Sequence, residues 1–242
     1  MTLRIFLAVE GANDGGALGK SLTPRDNDPS NEGALQPLVH RSAASSALEI
    51  RGQKIMLVPT GRIADPAEVV GKRARVASEI AAYDGCDAVV LHMDVDGPSD
   101  GSIDHGPTAW TALSNEVADG FAVAANSGSG LPTNRCIACL PLRTIEAWLL
   151  GDAAAVTRRA ATGSIDVSAD IEAPEALWEP QRVTSGKHPK RVLARAVGGA
   201  GAKISTRDYR AIAEDMDLDE VESTCPVSFS PFRSAMGTAL TP

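Results

Sequence analysis

Leu3 to Val9 (LRIFLAV) is a near-continuous apolar run rich in strand formers that stops at Glu10-Gly11. That pattern predicts a strand buried on both faces and ending in a turn. From Gly11 to Gly33 the residues are mainly Gly, Asn, Asp, Pro and Ser, which predicts a long polar loop with at most a short helix around Gly16 to Leu22. A helical stretch from about Ala34 to Leu48 precedes a second apolar run, KIMLVPT (Lys54 to Thr60), read as strand two. Pro66 suits the first turn of a helix running to about Tyr83, with Val69, Val70, Val76 and Ile80 spaced for one buried face. DAVVLHM (Asp87 to Met93) predicts a third buried strand, and it ends at Asp94-Val95-Asp96-Gly97. Thr108 to Ala125 has helical period, RCIACL (Arg135 to Leu140) reads as strand four, and Pro141 leads into the helical segment RTIEAWLLGD. Helices alternating with strands of this kind predict an α/β fold with a mostly parallel sheet and flanking helices. No strand is evident after Asp152. The expected organisation is therefore an α/β domain over 1–152 and a helical region over 153–242 packed on it, the latter broken by Pro174, Pro180, Pro189 and the Gly-rich Val197 to Lys203.

Composition narrows the classes. The chain carries 23 Lys+Arg against 31 Asp+Glu, a net charge of −8, which argues against coating nucleic acid by charge alone. Any polyanion contact must come from a local basic patch or a bound cation. No stretch approaches the roughly 20 apolar residues that span a bilayer, and the opening MTLRIFLAVEGAND places Glu10 where a secretory segment would still be apolar. A soluble, cytoplasmic protein with no membrane partner is expected. Four cysteines are too few for a disulfide framework at this length.

Ligands of an open parallel sheet bind outside the carboxyl ends of its strands. Here those ends are acidic: Glu10 follows strand one, and Asp94 and Asp96 follow strand three. Parallel neighbours would bring the three carboxylates to one edge, where their repulsion is resolved by a hard divalent cation, Mg²⁺ or Mn²⁺, and with it phosphate chemistry. Asp and Gly at strand ends are also ordinary turn residues, which explains each singly better than it explains the combination. Gly15 to Ser21 (GGALGKS) has the ending of a phosphate-binding loop, but G-x-x-x-x-G-K-[ST] requires glycine where Asp14 stands. Cys136-Ile137-Ala138-Cys139 lies inside a strand with no second pair at zinc spacing and reads as buried small hydrophobes. His92 reads as a satisfied core histidine and His105 as a weak candidate for the site. Arg143 and Glu146 share a helix face, either as a surface ion pair or beside the acidic edge. Lys187-His188-Pro189-Lys190-Arg191, with Lys203, Arg207 and Arg210, is the densest basic region, and such clusters are usually solvated faces.

Glu10-Gly11-Ala12-Asn13-Asp14 after a first strand, followed by Asp94-Val95-Asp96 after a third, resembles the E-G-x-x-[ED] and D-x-D signature of TOPRIM domains. RTIEAWLLGD (Arg143 to Asp152), HPKRVL (His188 to Leu193) and CPVSFSPF (Cys225 to Phe232) narrow the resemblance to a TOPRIM-like family of bacterial proteins related to OLD-type nucleases. That family is often encoded beside AAA or SMC-like ATPases in anti-phage loci. The resemblance implies a TOPRIM-like, Rossmann-like sheet and a metal-dependent nuclease acting on DNA or RNA under control of a partner ATPase. It implies Glu10 as a metal ligand or proton shuttle and Asp94 and Asp96 as the metal-binding pair. Asp14, Arg143, Glu146 and Lys190 are supporting positions without assigned roles. The long 11–33 loop departs from the compact TOPRIM pattern, and no tyrosine is evident near the site, which disfavours a topoisomerase. The alternative from another class is a non-catalytic subunit that binds an ATPase, with Trp148, Trp178 and Phe229/Phe232 as candidate anchors.

Overall fold

The computed structural model describes residues 2–43, 47–55, 66–95, 106–160, 173–177, 186–198 and 204–240. Strand β1 (Leu3–Val9) is central and pairs in parallel with β3 (Leu48–Lys54) on one side and β4 (Ala88–His92) on the other. Strand β5 (Cys136–Cys139) extends the sheet in parallel beyond β4, and the two-residue β2 (Arg25–Asp26) pairs antiparallel with β3 at the opposite edge. The order β2-β3-β1-β4-β5 makes a mostly parallel α/β sheet, the class that buried, non-alternating strands require.

Both faces of β1 are apolar because both are covered. Phe6 and Ala8 join Val89 and Leu91 of β4, Ala74, Ala77 and Ala81 of α3 (Pro66–Tyr83), and Val117 and Phe121 of α4 (Pro107–Asn126). Leu3, Ile5, Leu7 and Val9 face the other way, toward Leu35 and Leu38 of α2 (Leu35–Ser42) and Trp148 of α5 (Ile145–Leu150). The same core takes in Val156 of α6 (Ala153–Thr157), Leu193 of α7 (Pro189–Gly198), Ile212 of α8 (Thr206–Asp215) and Val221 of α9 (Leu218–Thr224). Phe229 and Phe232 of α10 (Phe229–Ala239) complete it. The helical region after Asp152 thus supplies much of one layer of a three-layer arrangement. Among the described residues no helix is long and apolar enough to cross a membrane.

The structure departs from the sequence expectations in three places. The second long strand is Leu48–Lys54, not Lys54–Thr60, and the preceding helix ends at Ser42 rather than near Leu48. LEIRGQK looks too polar for an inner strand, but Arg51 is answered by Asp26 and Asp84 at 3.2 and 3.0 Å. Gly52 lies so close to Leu7 that a Cβ there would sit 2.1 Å from its carbonyl oxygen. Residues 56–65, which hold most of KIMLVPT, lie outside the described residues. The Gly11 to Gly33 stretch is folded: it holds α1 (Ala12–Gly15), short 3-10 turns at Leu18–Lys20 and Pro29–Asn31, and β2. Finally, Trp148, Phe229 and Phe232 are core residues, at most 1% exposed, with ring centroids 5.0 to 6.0 Å apart. They anchor the fold and present no surface to a partner. Trp178 lies outside the described residues.

Candidate functional site

The chain leaves β1 for β3 on one side and then returns to β4 on the other, so β1 and β4 are neighbours whose following segments diverge. A crevice opens at such a reversal, and Glu10 and Asp94 stand on its two lips. Beyond Asp94 the backbone stays paired with the segment after β5: Met93 N–H donates to Cys139 O at 3.2 Å and Val95 N–H to Pro141 O at 3.1 Å. This holds Asp94 beside the start of α5, where its Oδ1 accepts the Ile145 N–H at 3.0 Å. A first-turn amide of a helix needs an acceptor from outside the helix, and Thr144, the residue before α5, supplies none from its side chain.

Around this pair the structure gathers two further carboxylates and three cationic groups. Asp94 N–H donates to Glu10 Oε2 at 3.2 Å, and Arg73 of α3 donates to Glu10 Oε1 at 2.7 Å. Asp94 Oδ2 lies 3.4 Å from Lys190 Nζ at the start of α7. His92, fully buried, has Nε2 at 3.5 Å from Asp94 Oδ1 and Nδ1 at 3.9 Å from Asp14 Oδ2. Asp14 on α1 is itself buried. Glu146, also fully buried, accepts a hydrogen bond at Oε1 from the Tyr209 hydroxyl of α8, while its Oε2 has no hydrogen-bond partner among the described residues. His188 accepts the Lys190 N–H on Nδ1 at 3.2 Å and so ties down the entry to α7.

The charges are mutually dependent. Burial pushes the Asp14 carboxyl up to about 7, against the pull of His92 and with the repulsion of Asp94 and Glu146. Burial works against a charged His92, but Asp14, Asp94 and Glu10 outweigh it and lift its pKa to about 9. For Asp94 burial is likewise opposed, by His92, Lys190 and the Ile145 amide, and its carboxyl is held below the ordinary value. Glu146 is raised by burial and by Asp94, and His188 is lowered to about 4 by burial and the neighbouring Lys190 charge. The site near neutral pH is therefore an ionised Asp94 flanked by a cationic imidazole, with a proton shared readily at Asp14.

A family model described as a domain of unknown function, DUF4276, matches residues 29–237. The chain belongs to that family. No curated protein and no solved structure matches it.

The DUF4276 match takes in Asp94, Arg143, Glu146 and Lys190, and it begins after Glu10 and Asp14. Of the expected site residues, the structure brings Glu10, Asp14, Asp94, Glu146 and Lys190 into one cluster. Arg143 stands at its margin, 8% exposed and at a positive φ of 84°, and its charge bears on His188. Burial of both Arg143 and Glu146 rules out the surface ion pair. Asp96 and His105 lie outside the described residues. Within the basic segment, His188 is buried and Lys190 half-buried against the acidic edge, so that part of the cluster is not a solvated face.

Three members of the DUF4276 site carried no usable signal. His92 looked like a core residue because strand position predicts burial and says nothing of the two carboxylates beside it. Arg73 is one of several basic residues on α3, and only the fold selects it for Glu10. Tyr209 is the tyrosine near the site that the sequence did not reveal. It is 4% exposed, its hydroxyl is committed to Glu146, and burial with the Glu146 charge raises its pKa. A nucleophilic tyrosine needs access and an easily lost proton, and Tyr209 has neither. The four cysteines are unpaired, and Cys139 is buried inside β5 with its thiol pushed well up by burial.

Proposed function

We propose that this protein is a metal-dependent phosphodiesterase that cleaves DNA or RNA at a TOPRIM-like sheet edge. The observation that carries the reading is the junction of Glu10 and Asp94: carboxylates following two adjacent parallel strands, joined by the Asp94 N–H to Glu10 hydrogen bond at the switch point. The further reading, an effector of an anti-phage or toxin-type system governed by an AAA or SMC-like ATPase, rests on the resemblance of the Arg143, His188 and Cys225 segments alone.

Carboxylate oxygens are the donors that Mg²⁺ and Mn²⁺ favour. Among the described residues no group of three or more His, Cys, Asp or Glu is placed to hold a metal ion, and the expected third ligand, Asp96, lies outside them. Of the two ligands at hand, Asp94 has the less committed oxygen, since its Oδ2 contact with Lys190 is long at 3.4 Å. A divalent cation held by Glu10, Asp94 and Asp96 would polarise the scissile phosphate.

The chain's own groups divide the remaining work. Glu10 is the accessible carboxylate, with 34% of its side chain exposed against 12% for Asp94, and it serves either as the third ligand or, off the cation, as the group that takes the proton from the attacking water. Arg73 fixes the direction of that carboxylate. His92 and the Ile145 amide hold Asp94 in place from behind. Lys190, with 27% of its side chain exposed, swings toward the phosphate and offsets its charge.

Metal titration followed by thermal unfolding tests this reading. At a hundredfold excess over Kd, Mg²⁺ or Mn²⁺ is expected to stabilise the wild type by about 2.7 kcal/mol, a rise of roughly 5–10 °C for a chain of this size. The rise should vanish in Asp94→Ala. No shift in the wild type would favour the adaptor reading.

A further inference from the structure

A cleft of about 560 Å³ lies between the folded 16–32 stretch and the start of α8, lined among others by Lys20, Arg25, Arg207 and Arg210. In a chain of net charge −8 such a concentration of cations is unusual. Three acidic residues share the lining, and two of the cations and carboxylates there answer one another or a neighbour. Asp26 pairs with Arg51 at 3.2 Å, and Arg210 is paired with Glu32 at 3.6 Å and with Glu214 at 2.7 Å. Asp28 accepts from the Ser30 amide and hydroxyl and from Asn31, within its own turn. Arg25 donates to the Ala17 carbonyl, and its charge acts on Asp28. The side chains of Lys20 and Arg207 are exposed and make no hydrogen bond or ion pair among the described residues. The four cations of the lining outnumber its three carboxylates by one, and the side-chain charges left without an ion-pair partner among the described residues include those of Lys20 and Arg207.

The cleft adjoins the acidic edge through its own walls. Gly19 packs so closely on Gly11 that a Cβ there would lie 1.9 Å from the Gly11 carbonyl oxygen, which sets the residue before Lys20 against the residue that follows Glu10. On α8, Tyr209 turns inward to Glu146 while Arg207 and Arg210 line the cleft. Among the described residues the lining holds no aromatic ring for bases to stack on, and phosphates are the groups its cations suit. Its volume is that of a small-ligand pocket, enough for a stretch of one strand and too little for both backbones of a duplex.

We infer that this cleft binds the phosphate backbone of a single nucleic-acid strand beside the scissile group, without base preference; the inference rests on the phosphodiesterase reading and names where its substrate runs. Binding of fluorescein-labelled oligo(dT) and oligo(rU) by the full chain, followed by anisotropy in EDTA over a salt series, tests it without any chemistry. Removing two phosphate contacts in Lys20→Ala/Arg207→Ala is expected to weaken binding on the order of tenfold at low salt and to flatten the slope of log K against log salt by about 1.4. Both side chains are exposed, so the thermal midpoint should not move. An unchanged affinity and slope in the double variant would overturn the inference, as would a wild type that binds neither oligonucleotide. Asp94→Ala in the same assay, with hydrolysis followed separately in Mg²⁺ or Mn²⁺, separates the two claims: retained binding in EDTA with no metal-dependent hydrolysis by any protein supports the cleft and removes the enzyme.

Discussion

His92 sets the charge balance of the acidic edge. It is the cation between Asp14 and Asp94, and its raised pKa makes the pair it forms with them sensitive to pH. Asp14 and His92 both bind more protons in the folded chain than in the unfolded one, so both make stability fall as pH rises. Asp14 acts from about pH 4 to 7 and His92 from about 6.5 to 9, while the depressed Asp94 acts in the opposite sense and only on the acid side of 3.8. Replacing His92 by Asn should remove the loss of stability between about pH 6.5 and 9 and cost roughly 1–3 kcal/mol at neutral pH by leaving buried carboxylates unanswered. Urea unfolding across that range checks it; an unaltered pH slope would count against a charged His92. Lys190 gives a second expectation. Because it shares Asp94 Oδ2 with any bound cation, Lys190→Met should tighten Mn²⁺ binding several-fold in calorimetry, and weaker binding would mean that Lys190 supports the metal rather than competes with it. At this scale the sequence exposed the residues whose type and place at a strand end are themselves informative, Glu10 and Asp94. It hid His92, Arg73 and Tyr209, whose roles exist only once distant elements meet.

The DUF4276 match takes in β4, α5, α7 and α8, which seat Asp94, Glu146, Lys190 and Tyr209, and leaves out β1 and α1. Trp148 of α5 packs between Phe229 and Phe232, and its indole N–H donates to Ser228 Oγ at 2.7 Å. That hydroxyl also accepts the Leu142 N–H at 3.0 Å and donates to Glu175. One buried serine thus joins the β5 to α5 connection, α5 and the start of α10. Ser228→Ala should leave several buried polar groups unpaired and cost about 1–3 kcal/mol or more, whereas Phe229→Ala opens a cavity worth about 3–5 kcal/mol. Chemical unfolding checks both, and a Ser228→Ala cost near zero would show that the network does not hold α5. Strands β1, β4 and β5 and helices α3 and α4 were legible because burial on both faces, or on one stripe, writes itself into apolar spacing. Strand β3 was not, since its inner charge, Arg51, is neutralised by Asp26 and Asp84, which belong to other parts of the chain.

At the scale of the whole molecule, the sheet depends on the helices that follow Asp152. Leu3, Ile5, Leu7 and Val9 share one core with residues of α6 to α10. A chain ended at Asp152 should therefore expose that face and aggregate rather than unfold cooperatively; a soluble fragment with a sharp thermal transition would contradict the shared core. The packing of the C-terminal helices on the sheet was legible only as a mostly helical composition, because which of their stripes meets β1 is set by tertiary contact. The central claim is that the edge where β1 and β4 part cleaves phosphodiesters. It is tested most directly by incubating plasmid DNA, single-stranded DNA and total tRNA with Mg²⁺ or Mn²⁺ and the wild type, Glu10→Ala or Asp94→Ala, alone and with any AAA or SMC-like ATPase encoded beside it. Metal-dependent cutting of at least one substrate by the wild type, lost in both variants, is the expected result. Cutting that survives in Asp94→Ala, or a wild type inert on all three substrates even with the ATPase, would contradict the account.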